Sequence, residues 1–482
     1  METFLLIAST LVIMSIFSSK ALYRFGVPSL IIFLSIGMLM GSDGIGGVYF
    51  NDFQLAEHIS TIAIVIIIFY GGFGTKWDAA KPILTKAGLL SSFGTIVTAF
   101  IIGFFCSLVM DVPLLYGLLF GSVVGSTDAA SVFSILRSRK LNLKNGLAPL
   151  LEVESGSNDP FAYMMTISII SAIGIQTNGF PLANVLTSVM VQLGVAIGIG
   201  AVASYLTVRL LKQLDLQVSG LTPILLAAIV LLSFSLCVLL GGNGLLCVYI
   251  LGVVVGNNKI LHKISLVHFF DGLSWIMQIS LFFVLGLLSF PSQLPGMIIP
   301  GTLLSILLIF VARPIATFGI LSWFRVPIKQ QMFVSWVGLR GSASIVFAIV
   351  ATKALGADLP YDIFHLVFFV ALFSILIQGS LTPLMAIKLD VVDDSEENSV
   401  MKTFTDYHEE IHAELLEYTI TAKSKFKDER ILDCNFPDDI LIIMIKRDGE
   451  VLVPSGSTII EENDVLVVSG KGFEFFENTE IE

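Results

Sequence analysis

Glu152, Glu154 and Asp159 stand in one otherwise apolar stretch, within the run Glu152-Val-Glu154-Ser155-Gly-Ser-Asn158-Asp159-Pro160. A carboxylate in a partly dehydrated cavity is pushed toward its protonated form by burial and toward its charged form by nearby cations or donors. It can then hold a proton or a hard monovalent cation, but not both well. On a helix Glu154 and Asn158 share a face, as do Ser155 and Asp159, and the two pairs lie on adjacent sides. Glu152 points away from Glu154 and has no assigned role. Two further segments place one charge each among small and hydroxyl residues: Gly125-Ser-Thr127-Asp128-Ala-Ala-Ser131 and Gly338-Leu-Arg340-Gly341-Ser342-Ala-Ser344. Oxygens from Asp159, Asp128, Ser155 and the Thr127 carbonyl, with Asn158 assisting, suit Na+ or K+. Glu154 with Arg340 is expected to form a buried pair that fixes helices, because Arg forks onto carboxylate and stays charged. The competing reading, that all these charges are ordinary interhelical salt bridges, fits Asp159 least, since the carboxylates outnumber that arginine.

The elements that must carry these residues are membrane helices. Hydrophobic residues make up 55% of the 482 and charged residues 13%, with long apolar runs recurring to about residue 389. Runs long enough to cross a hydrocarbon core of about 30 Å at about 1.5 Å per residue imply a polytopic all-α membrane protein. Thirteen spans are expected, near 3–18, 27–41, 55–74, 87–109, 113–136, 145–175, 182–208, 220–241, 243–257, 264–289, 297–324, 330–352 and 361–387. Fifteen basic residues fall in alternate loops and only Lys353 in the others, which puts the N-terminus outside and the C-terminal tail in the cytoplasm. Measured from the nearest cytoplasmic basic residue, Asp159, Asp128 and Arg340 all lie about 14–22 Å deep. A lone charge there costs about 2.5–3.5 kcal/mol on insertion scales, so convergence of three spans on one depth reads as a site.

Small-residue segments are also where a membrane helix can unwind and present carbonyls or helix ends. If spans 1–6 and 8–13 are repeats, the fifth matches the twelfth, and the odd offset of seven makes them inverted repeats whose interrupted helices can cross at the midplane. Arg313-Pro314 reads as a kink with a paired charge, and Asp271 and Glu57 as structural or interfacial. Cys106, Cys237, Cys247 and Cys434 lack metal or redox spacing and read as small core residues. No basic n-region precedes the first apolar run, so a cleaved signal peptide is not expected. The acidic balance, net charge −11 with 24 of 38 acidic residues at or after Asp390, gives no sign of a nucleic-acid partner.

The chain divides into a membrane part, 1–389, an acidic linker, 390–407, and a small cytoplasmic α+β module, 408–482. In the module an amphipathic helix is expected around Glu409 to Lys423, then strands at Ile440–Ile445 and Val465–Val468 with a turn at Lys446-Arg-Asp-Gly449.

At these motifs the membrane part resembles the monovalent cation/proton antiporters of NhaP type in the first cation–proton-antiporter family. The resemblance rests on Thr127-Asp128, on Asn158-Asp159 after Glu154-Ser155, and on Gly-Leu-Arg340-Gly, in order and in the expected spans. It implies a thirteen-helix homodimeric protomer in the lipid of an inner membrane, with a core of crossed interrupted helices that exchanges one cation for one proton by an elevator-like movement. It makes Asp159 the exchanging carboxylate, and Asn158, where electrogenic relatives carry a second aspartate, fits electroneutral exchange. The tail resembles the C-terminal half of the regulator-of-K+-conductance module, RCK_C or TrkA_C-like. That likeness rests on Phe436-Pro-Asp-Asp, Arg447-Asp-Gly-Glu, Val453-Pro454-Ser-Gly456-Ser-Thr458 and Asn463-Asp464-Val-Leu-Val-Val-Ser-Gly470. The usual preceding GxGxxG half is missing, so no NAD or ATP cofactor is expected; a cyclic dinucleotide is a candidate effector by resemblance. The rival from another class is a ligand-gated cation channel, disfavoured because no TVGYG-like filter is present.

Overall fold

The computed structural model describes residues 13, 29–139, 141–174, 182–214, 220–260, 263–356, 359–393, 414–421, 424–434, 436–437, 440–447 and 450–470. It falls into two compact units, Met1–Phe404 and Thr405–Glu482.

Helices of the first unit follow the apolar runs. They are α1 (Ser29–Met40), α2 (Phe53–Gly74), α3 (Trp77–Val109), α4 (Leu114–Val123), α5 (Ala129–Ser138), α6 (Leu147–Gly174), α7 (Leu182–Gln213), α8 (Leu221–Leu239), α9 (Gly244–Gly256), α10 (Lys263–Leu288), α11 (Pro291–Leu321), α12 (Ile328–Trp336), α13 (Ser342–Leu355) and α14 (Ile363–Lys388). Seven of these, among the described residues, are long and apolar enough to cross a membrane by themselves. The second to thirteenth expected spans each coincide with helix, and the first lies outside the described residues apart from residue 13. The protein is a multi-pass membrane protein. Local chemistry starts several helices: Asp52, Asn243 and Asp362 accept the backbone N–H of Leu55, Leu246 and His365 at 2.9, 3.0 and 3.1 Å.

Two spans are broken, the fifth between α4 and α5 and the twelfth between α12 and α13, in the small-residue segments where unwinding was expected. α1, α2 and α7 to α10 pack mainly on one another, and so do α3 to α6 with α11 to α14. α6 meets α7 and α9, and α13 meets α2, where the groups touch. Glycine makes the closest seam possible: a Cβ on Gly252 or Gly256 would collide with the backbone of Phe69 or Phe73 on α2. Turns of π-helix interrupt α3 at Leu90–Gly94, α11 at Leu308–Ala312 and α14 at Ser374–Gly379. In α11 the π-turn directly precedes Arg313-Pro314, which absorbs the N–H that Pro314 lacks. All four cysteines are free and buried.

The second unit is a four-stranded antiparallel sheet of β1 (Glu414–Thr419), β2 (Leu441–Arg447), β3 (Glu450–Leu452) and β4 (Val465–Gly470), in the order β1-β4-β2-β3. One expectation fails here. Residues 414–419, read as part of an amphipathic helix, form strand β1, paired along its whole length with β4 from Glu414 opposite Gly470 to Thr419 opposite Val465. The apolar strand β4 lies inside the sheet and needs a partner on each side, and that demand overrides the local helical pattern. Residues 409–413 and 422–423 of the expected helix lie outside the described residues. Arg447 at the end of β2 pairs with Glu450 at the start of β3; residues 448–449 of the expected turn lie outside the described residues.

Arg447 ties this sheet together. Its Nε and Nη2 donate to both carboxylate oxygens of Asp464, at 2.8 and 2.7 Å, and Nη2 also reaches the Ile459 carbonyl. Burial pushes the Asp464 carboxyl up, but the Arg447 hydrogen bonds and charge and the Glu461 N–H outweigh it and hold it below the usual carboxylate range. A depressed folded pKa contributes stability above the unfolded value of about 3.9, and this is lost as pH falls through the folded value. Amide exchange of β4 is therefore expected to stay constant between pH 5 and 8, after correction for intrinsic rates, and to accelerate below about pH 4; Arg447→Ala should remove that acid transition.

Candidate functional site

The two breaks meet. Asp128 N–H donates to the Leu339 carbonyl at 2.8 Å, Arg340 Nη1 donates to the Ser126 carbonyl at 2.7 Å, and a Cβ on Gly341 would strike the Asp128 carboxylate. Gly341 is thus the residue that lets the segments cross so closely. Unwinding leaves carbonyls without helical donors, and the partner break satisfies them.

α6 runs beside this crossing and fastens to it. Asn158 accepts the Thr127 N–H through Oδ1 at 3.3 Å, and its Nδ2 donates to Thr127 Oγ1. The Ser155 hydroxyl donates to the Thr127 carbonyl at 2.7 Å and accepts the Ala129 N–H at 3.0 Å. Asp159 accepts a hydrogen bond from Ser126 Oγ. The Asp128 carboxylate accepts the Ser131 hydroxyl at 2.6 Å and its N–H at 3.2 Å, and so caps α5. Thr127, Asp128, Ser155, Asn158 and Asp159 are therefore brought together. Within this group Thr127 and Asn158 are buried, whereas Asp128, Ser155 and Asp159 are half-buried. The buried pair fastens, and the half-buried oxygens are the ones a small ion can reach.

Glu154 and Arg340 are not a pair. Glu154 Oε1 lies 2.6 Å from Arg313 Nη2, with both side chains at 5% exposure or less, and Arg340 makes no ion pair among the described residues. Five helical residues separate Glu154 from Asp159, which turns their faces about 140° apart, so a guanidinium bound at the crossing cannot also cover Glu154. Arg313 reaches it from α11 by lying against Gly338, where a Cβ would meet its Nε at 2.7 Å. The paired charge read at Arg313 is present, with Glu154 as its partner.

Sequence reasoning missed three contributors. Ser126 stands in its motif with nothing to mark a role, yet its hydroxyl donates to Asp159 and its carbonyl accepts from Arg340. Gln378 and Ser374, on the π-turn of α14, hold the second break: Ser374 accepts the Arg340 N–H at 3.1 Å and donates to Gln378 at 2.7 Å, while Gln378 bonds the Trp336 carbonyl and accepts its indole N–H. Two polar residues four apart in an apolar span were the available signal.

The model of the sodium/hydrogen exchanger family, transmembrane, matches residues 8–388, and that of the TrkA-C domain residues 415–472. The chain belongs to the sodium/hydrogen exchanger family. Its relatives include the K(+)/H(+) antiporter NhaP2 of Shewanella sp. (strain MR-4), 34% identical over 98% of this chain and 81% of the relative. Another is the K(+)/H(+) antiporter NhaP of Alkalimonas amylolytica, also 34% identical, over 96% and 80%. The sodium proton antiporter MjNhaP1 of Methanocaldococcus jannaschii shares the fold, with a TM-score of 0.70 at 23% identity over 81% of this chain and 99% of that one. Members of this exchanger family are transporters rather than enzymes.

Proposed function

We propose that this exchanger moves K+ or Na+ one for one against H+ across the cell membrane, with Asp159 alternating between proton and cation. The observation that carries the reading is the half-buried pair Asp128 and Asp159 at the crossing of two broken helices. A proton leaving Asp159 is replaced by one monovalent cation, so the site's net charge is the same in both loaded forms and exchange is electroneutral. Asp128, Ser155 and the Thr127 carbonyl supply further oxygens, and Asn158 keeps the break in register with α6. The relatives named K(+)/H(+) antiporters favour K+. Alternating access comes from an elevator-like movement of the site-bearing helices within a homodimer, with the N-terminus outside and the tail in the cytoplasm. The test is reconstitution in proteoliposomes with an internal pH dye. K+ or Na+ pulses are expected to move protons while choline does not; equal responses to all three would overturn the reading.

The tail, 408–482, tunes this exchange through the start of the linker. Lys144 N–H donates to the Val391 carbonyl at 3.0 Å, Asp393 N–H to the Asn142 carbonyl at 2.9 Å, and Leu143 bridges Val392. Val391 is buried in an apolar cluster to which α5 and α6 contribute. Residues 391–393 are thus bonded through their backbone to the very loop that joins the helices of Asp128 and Asp159. Lys144 Nζ, 2.8 Å from Asp390, lowers that carboxyl below the usual range, so the contact is charged throughout pH 5–8 and gives way only on stronger acidification. Asp393→Pro, which removes the donor to Asn142, is expected to bring the exchange rate of the full chain to that of a chain ending at Asp393. A variant rate equal to the wild type would exclude this route.

A further inference from the structure

Asn243 lies outside the cluster described above, yet its side chain holds the helix that carries Asp159. It is 1% exposed and stands in the turn between α8 and α9. Its Oδ1 accepts the Leu246 N–H at 3.0 Å, which caps α9, and its Nδ2 donates to the Pro160 carbonyl at 2.6 Å. Its own N–H donates to the Gln192 carbonyl of α7 at 3.1 Å. The two side-chain partners fix the amide's orientation: a backbone N–H must meet the oxygen and a carbonyl must meet the nitrogen, so Asn is not interchangeable end for end.

The bond lands on the residue next to Asp159. Pro160 has no N–H, so the Gly156 carbonyl loses its usual helical donor and α6 is weakest at this turn. The turn that presents Asp159 is braced from outside, by α9. That brace crosses between the two groups of helices. α9 has 13 residues, about 20 Å, against a hydrocarbon core of about 30 Å, so its capped end can stop short of the far membrane face and meet α6 at depth.

We propose that Asn243 is a positioning residue for exchange: its amide anchors the Asp159 turn of α6 to α9 in the conformation seen here, and the anchor must release when α6 moves past α9. The inference rests on the exchange reading above. Two variants separate the anchor from the cap. Asn243→Ser keeps a capping oxygen for Leu246 and is too short for Pro160. Asn243→Asp keeps the cap and the shape but turns an oxygen toward the Pro160 carbonyl.

Both variants, reconstituted as full chains, are expected to change the apparent KM for the transported cation about three- to tenfold, the span of one net hydrogen bond, with protein yield and thermal stability near those of the wild type. Unchanged KM, or a fall in yield and maximal rate alone, would overturn the proposal. Amide hydrogen exchange of residues 161–166 supplies a readout independent of transport: it should be faster in Asn243→Ser than in the wild type, and equal rates would also overturn it. A wild-type chain that moves no protons would instead remove the exchange reading, while the amide comparison would still decide whether Asn243 braces α6.

Discussion

Asp159→Asn is expected to reduce cation-driven proton movement to the level of liposomes without protein. The substitution keeps the size of the side chain and an oxygen for the Ser126 hydroxyl, so the fasteners at Thr127, Ser155 and Asn158 stay in place. What it removes is the one property that exchange requires, a group able to be charged when it holds a cation and neutral when it holds a proton. An amide does neither. The folding control is the thermal stability of the purified variant, which should match or exceed that of the wild type, because a half-buried carboxylate has been replaced by a neutral isostere. Proton movement persisting at the wild-type rate would mean that another group carries the exchange, and Asp128, already spent on the two donors of Ser131, would be the one to examine.

Much of this site is legible in the sequence because the membrane makes charges conspicuous. Asp128, Asp159 and Arg340 can be found by their cost alone, and the glycines and hydroxyls around them mark the breaks. Periodicity also puts Ser155 with Asp159 on one face. Partner choice is different, because it depends on which side chain is long enough to reach across a third helix. Arg340 has the right depth for Glu154 and the wrong direction, while Arg313, disguised by the proline after it, reaches Glu154 over Gly338. Neutral fasteners are the least legible of all. Ser126, Gln378 and Asn243 carry no charge to mark them, and their partners, Asp159 and Arg340, the Trp336 carbonyl and the Pro160 carbonyl, come beside them only in the fold. The tail shows the converse failure: the pattern before residue 420 carries a helical period, and β4's need for a neighbour overrides it.

The revised pairing makes a prediction that the original one does not. Arg313→Met leaves the Glu154 carboxylate, 1% exposed, without a countercharge, and Glu154→Leu leaves the guanidinium of Arg313 in the same position. Removing one partner of a buried pair costs about 3–5 kcal/mol, since the survivor keeps its desolvation penalty and loses the attraction that offset it. Each single variant should therefore unfold at markedly lower temperature in detergent than the wild type. The double variant Glu154→Leu with Arg313→Met removes both charges and should recover most of that loss, because two apolar side chains of similar bulk suit the site. The coupling in that cycle is expected to exceed about 1 kcal/mol, whereas the same cycle between Glu154 and Arg340 should be additive within about 0.5 kcal/mol. A large coupling with Arg340 and none with Arg313 would restore the pairing expected from depth alone. It would also reassign Arg340 from the crossing of the breaks, where it holds the Ser126 carbonyl, to the opposite face of α6. The two outcomes differ in what they leave at the site: with Arg313 on Glu154, the positive charge of Arg340 stays beside the carboxylates that exchange the ion.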